Sequence, residues 1–96
     1  MPPDPVRSED TKAWLRKCEK DLRRGQAALS LDPADTEDAL FHTQQAVEKA
    51  LKAFLVWKDQ PFRKTHDLLE LSAKCAQTDP ELASCLQGLA PLTRYA

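Results

Sequence analysis

The 96 residues carry 14 Lys and Arg against 15 Asp and Glu, a formal net charge of −1, with 42% hydrophobic and 30% charged residues. That length makes one small domain, the apolar share is too high for a disordered chain, and the charge balance excludes a strongly basic nucleic-acid binder while leaving room for a local basic patch. With two glycines, few β-branched residues and an abundance of Ala, Leu, Lys, Glu and Gln, the composition favours helix.

The opening "MPPDPVR" holds three of the seven prolines and is expected to form a loosely held arm over residues 1–8. Ser8 then reads as an N-cap, with Glu9 and Asp10 in the first turn, where the helix dipole favours negative charge. Trp14, Cys18, Leu22, Gly25 and Leu29 recur at spacings of three and four, one helical stripe widened by Leu15 and Ala28. Gly25 on that stripe points to close approach of another helix. "LDPADTED" ends this helix at Pro33 and starts a second, capped by Asp35 or Thr36, that runs to about Lys58.

At 100° per residue, Leu40, Val47, Leu51 and Phe54 cluster on one side of the second helix. His42, Gln45, Lys49, Ala53 and Val56 lie on the reverse, with Phe41 at the border. Such a half-apolar strip of hydrogen-bonding groups fits a partner helix better than bulk water. Phe41, His42, Gln45, Ala53 and Val56 are therefore the expected interface, with His42 a structural hydrogen-bonder rather than a catalyst.

"KDQPFRK" is a loop centred on Pro61. Thr65 is expected to cap a third helix with the stripe Leu68, Leu71, Ser72 and Cys75. Asp79-Pro80-Glu81 starts a fourth, as N-cap, proline at the first helical position and an acid, followed by Leu82, Cys85, Leu86 and Leu89. Short loops between four helices give an all-α, antiparallel up-and-down four-helix bundle. Cys18, Cys75 and Cys85 include no Cys-x-x-Cys pair and fall in apolar patterns, so they read as buried free thiols in a reducing cytoplasm. The chain shows no membrane-spanning run, no signal-peptide core, no metal-ligand set and no phosphate-cradling glycine loop; neither a metal nor a cofactor is expected.

"FHTQQAVEKALKAFL", a proline loop and "KTHDLLEL" together resemble the HEPN domain, and the likeness extends upstream to Trp14 and "DLRRGQAAL" and downstream to "LTRYA". The resemblance covers nearly the whole chain as one domain. It implies a four- or five-helix bundle, usually a homodimer, that binds nucleotides or RNA. It also implies a final family helix beyond Ala96, a toxin–antitoxin or defence setting, and in some members a nucleotidyltransferase partner. Nuclease members carry Arg, four to six residues, then His; here Arg63-Lys64-Thr65-His66 has only two between, and no His follows Arg94.

Arg63, Lys64 and His66, with Lys49 approaching from the second helix, make a candidate phosphate-sized anion site at the opening of the third helix. Arg63 and His66 are also the candidates for catalysis, were the protein a metal-independent ribonuclease. Three functions follow: a non-catalytic nucleotide- or RNA-binding module, a ribonuclease with an atypical Arg/His pair, or a structural helical adaptor. The first is preferred because the nuclease spacing is not met.

Overall fold

The computed structural model describes residues 4–88, and all their regular structure is helical. Helix α1 spans Pro5–Leu29, α2 Thr36–Trp57 and α3 Leu68–Thr78; a 3₁₀ turn at Pro80–Leu82 leads into α4, Ala83–Gln87. The all-helical bundle expected from the sequence is the observed architecture. Leu89, Pro91 and Arg94 lie outside the described residues.

Helix α1 begins earlier than Ser8. The Asp4 side chain accepts a hydrogen bond from the Val6 amide, and Pro5 takes the first helical position, where its missing N–H is not needed. The expected arm is therefore helical from Pro5 onward. Helix α2 starts as expected, with Asp35 accepting from the Asp38 amide. Helix α3 is capped by Asp67 rather than Thr65: the Asp67 carboxylate accepts from the Leu69 and Glu70 amides. Thr65 stands one step back and accepts from the Asp67 amide instead.

Helices α1 and α2 form an antiparallel hairpin. Trp14 meets Lys52, Asp21 meets His42 and Lys49, and Gly25 meets Ala39, so advancing along α1 retreats along α2. Small residues set this contact: Gly25 and Ala28 of α1 and Ala39, Ala46 and Ala53 of α2 are all buried. Gly25 lies 3.4 Å, measured from an ideal Cβ, from the Ala39 carbonyl and 3.7 Å from His42 Cβ. The helices do approach closely there, with just enough room for a methyl.

The apolar core lies on another side of α2, where Leu51 and Leu55 pack on Leu68, Leu71 and Cys75, with Val47, Phe54, Phe62 and Leu86 partly buried against them. Helix α2 is thus covered on two sides, by α1 and by α3, and the expected single stripe is only half right. Leu51 is buried, whereas Leu40, Val47 and Phe54 are half-buried. The stripe of α1 also shifts, because Leu15, Leu22 and Leu29 stay outside while Asp21, Gly25 and Ala28 go in. Of the three thiols only Cys75 is buried; Cys18 is half-buried and Cys85 exposed. Burial pushes the Cys75 thiol up to about 11.

Replacing Leu55, which has no exposed surface, by Ala is expected to cost about 2–5 kcal/mol. Leu69→Ala, at a position of the same helix bundle that is 61% exposed, should stay within roughly 0.5 kcal/mol. Urea denaturation of the two variants beside the parent protein measures both.

Candidate functional site

The loop between α2 and α3 carries the basic residues and is moored by two carboxylates. His66 Nδ1 donates to Glu48 of α2, 3.0 Å from Oε1 and 3.1 Å from Oε2. Glu48 is buried and also accepts from Lys52 Nζ at 3.1 Å, one turn along α2. The Lys52 ammonium in turn lies 5.3 Å from the centre of the Trp14 ring, a favourable cation–aromatic contact. The His66 side chain nonetheless remains 84% exposed. With Nδ1 turned inward to Glu48, its Nε2 edge faces solvent.

Arg63 makes a two-pronged contact with Glu70, Nε to Oε1 at 3.1 Å and Nη2 to Oε2 at 3.0 Å. The hydrogen bond raises the Arg63 pKa further above its already high value and lowers that of Glu70. Both groups are exposed to water, so the pair mainly orders the loop. Lys64 is exposed and has no ion pair among the described residues. The amides at the start of α3, expected to attract an anion, are occupied by the Asp67 carboxylate.

Lys49 is not part of this loop cluster. It faces α1, where its Nζ donates to Asp21 Oδ2 at 2.6 Å and lies 3.4 Å from Gln45 Oε1. His42 Nδ1 donates to the other Asp21 oxygen at 2.9 Å, and its Nε2 sits 3.6 Å from Asp38. Burial works to raise the Asp21 pKa, but the hydrogen bonds from Lys49 and His42 and their charge outweigh it, so the carboxyl is held below its usual range.

The structure therefore brings Arg63, Lys64 and His66 together on one loop and separates Lys49 from them. It also answers what the reverse face of α2 is for. The partner helix of His42, Gln45, Lys49 and Ala53 is α1 of the same chain, and Ala53 is buried beneath it. Much of that face is thus taken up within the chain: Ala53 is buried, His42, Gln45 and Val56 are half-buried, and Phe41 is exposed. His42 does act as a structural hydrogen-bonder. Two residues that matter most here, Asp21 and Glu48, had escaped the sequence reading. Asp21 carried a signal, since it falls seven residues from both Trp14 and Ala28 and so shares their face.

Among the described residues, no three His, Cys, Asp or Glu side chains gather in a way that could hold a metal ion, and no helix is long and apolar enough to cross a membrane. Compared with known protein families, residues 11–96 match the HEPN domain. No curated protein and no solved structure gives a significant match.

Because the folded Asp21 carboxyl holds its proton less readily than the unfolded one, its stabilising effect is full above the ordinary Asp range near ~3.9. It is lost as pH falls through the lower folded value. Asp21→Asn should cost about 1.5–3 kcal/mol near neutral pH and shrink the acid limb of the stability profile. Thermal melts across the acid range compare the two proteins.

Proposed function

Since the chain belongs to the HEPN domain family, we propose that it works as a nucleotide- or RNA-binding module, with the loop from Arg63 to His66 as its contact to phosphate. The observation that supports this most is the combination of His66, steered by buried Glu48 so that its outer edge meets solvent, with exposed Lys64 beside it. Lys64 is the freest charge of the loop, and Arg63 can trade Glu70 for phosphate because the pair is wet. Lys49 is withdrawn from the proposed contact, being held by Asp21. A toxin–antitoxin or defence setting and a nucleotidyltransferase partner belong to the same proposal, on the strength of the family alone.

A ribonuclease reading has one specific observation in its favour. An imidazole with one nitrogen on a buried carboxylate and the other free is how a general base is oriented, and Glu48 and His66 have that relation. Against it, Arg63 is committed to Glu70, and the spacing of the Arg63/His66 pair departs from that of the nuclease members.

Binding of a short single-stranded RNA, followed by fluorescence anisotropy, should be weak and salt-dependent, with a slope of roughly −0.7 in log affinity against log salt per phosphate neutralised. Lys64→Ala should flatten the slope by about one such step and leave the melting temperature unchanged. Incubating the same RNA with chelator and looking for cleavage separates the ribonuclease reading. Absence of binding to RNA and nucleotides alike would favour the adaptor.

We further propose that the module pairs with a second copy through a face other than the expected one. Leu15, Leu22 and Leu29 follow each other at intervals of seven along α1 and are 46%, 48% and 56% exposed. Residues seven apart form a nearly straight row on a helix. At Leu15 the row runs into an apolar groove of ≈ 480 Å³ lined also by Ala50, Phe54 and Trp57. An apolar row of this length bordering a groove is more than scattered surface leucines. Light scattering at high micromolar concentration should show a dimer that Leu22→Glu converts to monomer and that Phe41→Ala, on the exposed border of the expected face, leaves intact. A parent protein that is monomeric there rules the face out.

A further inference from the structure

Arg7 lies near the start of α1, half-buried, in a cleft of ≈ 650 Å³ that it shares with Val56, Asp59, Gln60 and Phe62 from the end of α2 and the loop beyond. Asp4 and Asp10 line the same space. Despite three carboxylates around one cleft, the Arg7 guanidinium makes no ion pair among the described residues. Its Nε is buried and has no hydrogen-bond partner. A buried donor left unsatisfied costs free energy, and such groups are few in folded proteins. Here the unsatisfied donor belongs to a fork built for carboxylate or phosphate.

The rest of the cleft narrows the ligand. Asp4 is engaged with the Val6 amide, whereas Asp10 and Asp59 have no side-chain partner among the described residues. Asp59 stands at the exit of α2 with φ of 55°, the left-handed backbone that Asp tolerates better than most residues. The turn is closed by the Asp59 amide on Val56 and the Gln60 amide on Leu55 at 2.8 Å. Val56 and Phe62 add apolar wall, and Phe62 is braced edge-on by Trp14, ring centres 6.4 Å apart. The volume lies in the range of small-molecule sites.

We infer that this cleft binds a small organic molecule with one anionic group and separate hydrogen-bond donors: its carboxylate or phosphate on Arg7, its donors on Asp10 or Asp59, and its body against Val56 and Phe62. The unpaired guanidinium offers its fork to one anionic group, while the three carboxylates around it disfavour a chain of phosphates by like-charge repulsion. The site is distinct from the Arg63–His66 loop and stands whether or not that loop binds RNA.

Two probes share this chemistry, adenosine 5′-monophosphate as a phosphate monoester and phenylalanine as an amino-acid carboxylate. The full chain is titrated with each while the Arg7 Nε–H and Gln60 side-chain amide signals are followed by NMR. At least one probe is expected to shift both signals and saturate at millimolar concentration or below. The responding probe identifies the source of the anion. Phenylalanine amide, lacking the carboxylate, should bind roughly tenfold more weakly than phenylalanine if that arm responds, and ATP more weakly than the monophosphate if the other does. Arg7→Lys keeps the charge without the fork and should weaken binding by roughly tenfold, and Asp59→Asn should weaken it too, with thermal melts confirming the fold. The inference is overturned if neither probe moves the Arg7 Nε–H signal of the parent protein. It is also overturned if folded Arg7→Lys binds as the parent does, or if ATP binds more tightly than the monophosphate. Should Arg7→Lys fail to fold, the parent titration and Asp59→Asn decide.

Discussion

A carboxylate buried between two helices must be answered from both of its oxygens, and Asp21 is answered by His42 on one and Lys49 on the other. Those two residues sit seven apart on α2, two turns, so the pair of bonds fixes both the register and the rotation of α1 against α2. Only one axial placement satisfies both. The rest of the hairpin follows from it: Gly25 comes to rest on Ala39, the small alanines of α2 line the seam, and Trp14 lands over Lys52. Breaking a buried pair by removing one partner costs far more than the pair contributes over an apolar substitute, so such an arrangement specifies geometry more than it adds stability.

Glu48 repeats the arrangement on the side of the loop. It is buried between Lys52 and His66 and thereby anchors a loop that has no regular structure from Pro61 to Asp67. The same economy governs the remaining cations of the region. Lys49 answers Asp21, Lys52 answers Glu48, and Arg63 answers Glu70. On a protein of net charge −1, any attraction for anions has to come from the basic groups left over, and these include Lys64, the outer edge of His66, and Arg7.

The packing explains why the molecule shows an apolar row. Asp21 turned inward leaves Leu22 turned outward on the next residue, and Leu15 and Leu29 follow it by the heptad. A bundle in which α2 is covered by α1 and α3 still has a third flank, marked by half-buried Val47 and Phe54 and exposed Ala50 and Trp57. A domain this small buries only about two-thirds of its unfolded surface on its own, and this flank is where the proposed second copy would add to that.

How far the sequence could be read differs from element to element. The Asp35 cap, the Leu68–Leu71–Cys75 stripe and the Asp79-Pro80 start depend on contacts within a few residues, and each was legible from local rules. So was the need of His42, Gln45 and Lys49 for a partner helix, because a row of that chemistry does not suit bulk water. Composition and periodicity were enough for an all-helical bundle. The identity of the partner helix, α1 rather than another subunit, was decided by Asp21 lying in the fold between residues that are 21 and 28 positions away. The same long-range pairing withdrew Lys49 from the anion cluster and turned the leucines of α1 outward. Helical periodicity reports that a face must be covered, since burial is a property of the face. It carries no information on what covers it, since that depends on which distant charges can satisfy one another once the helices are packed.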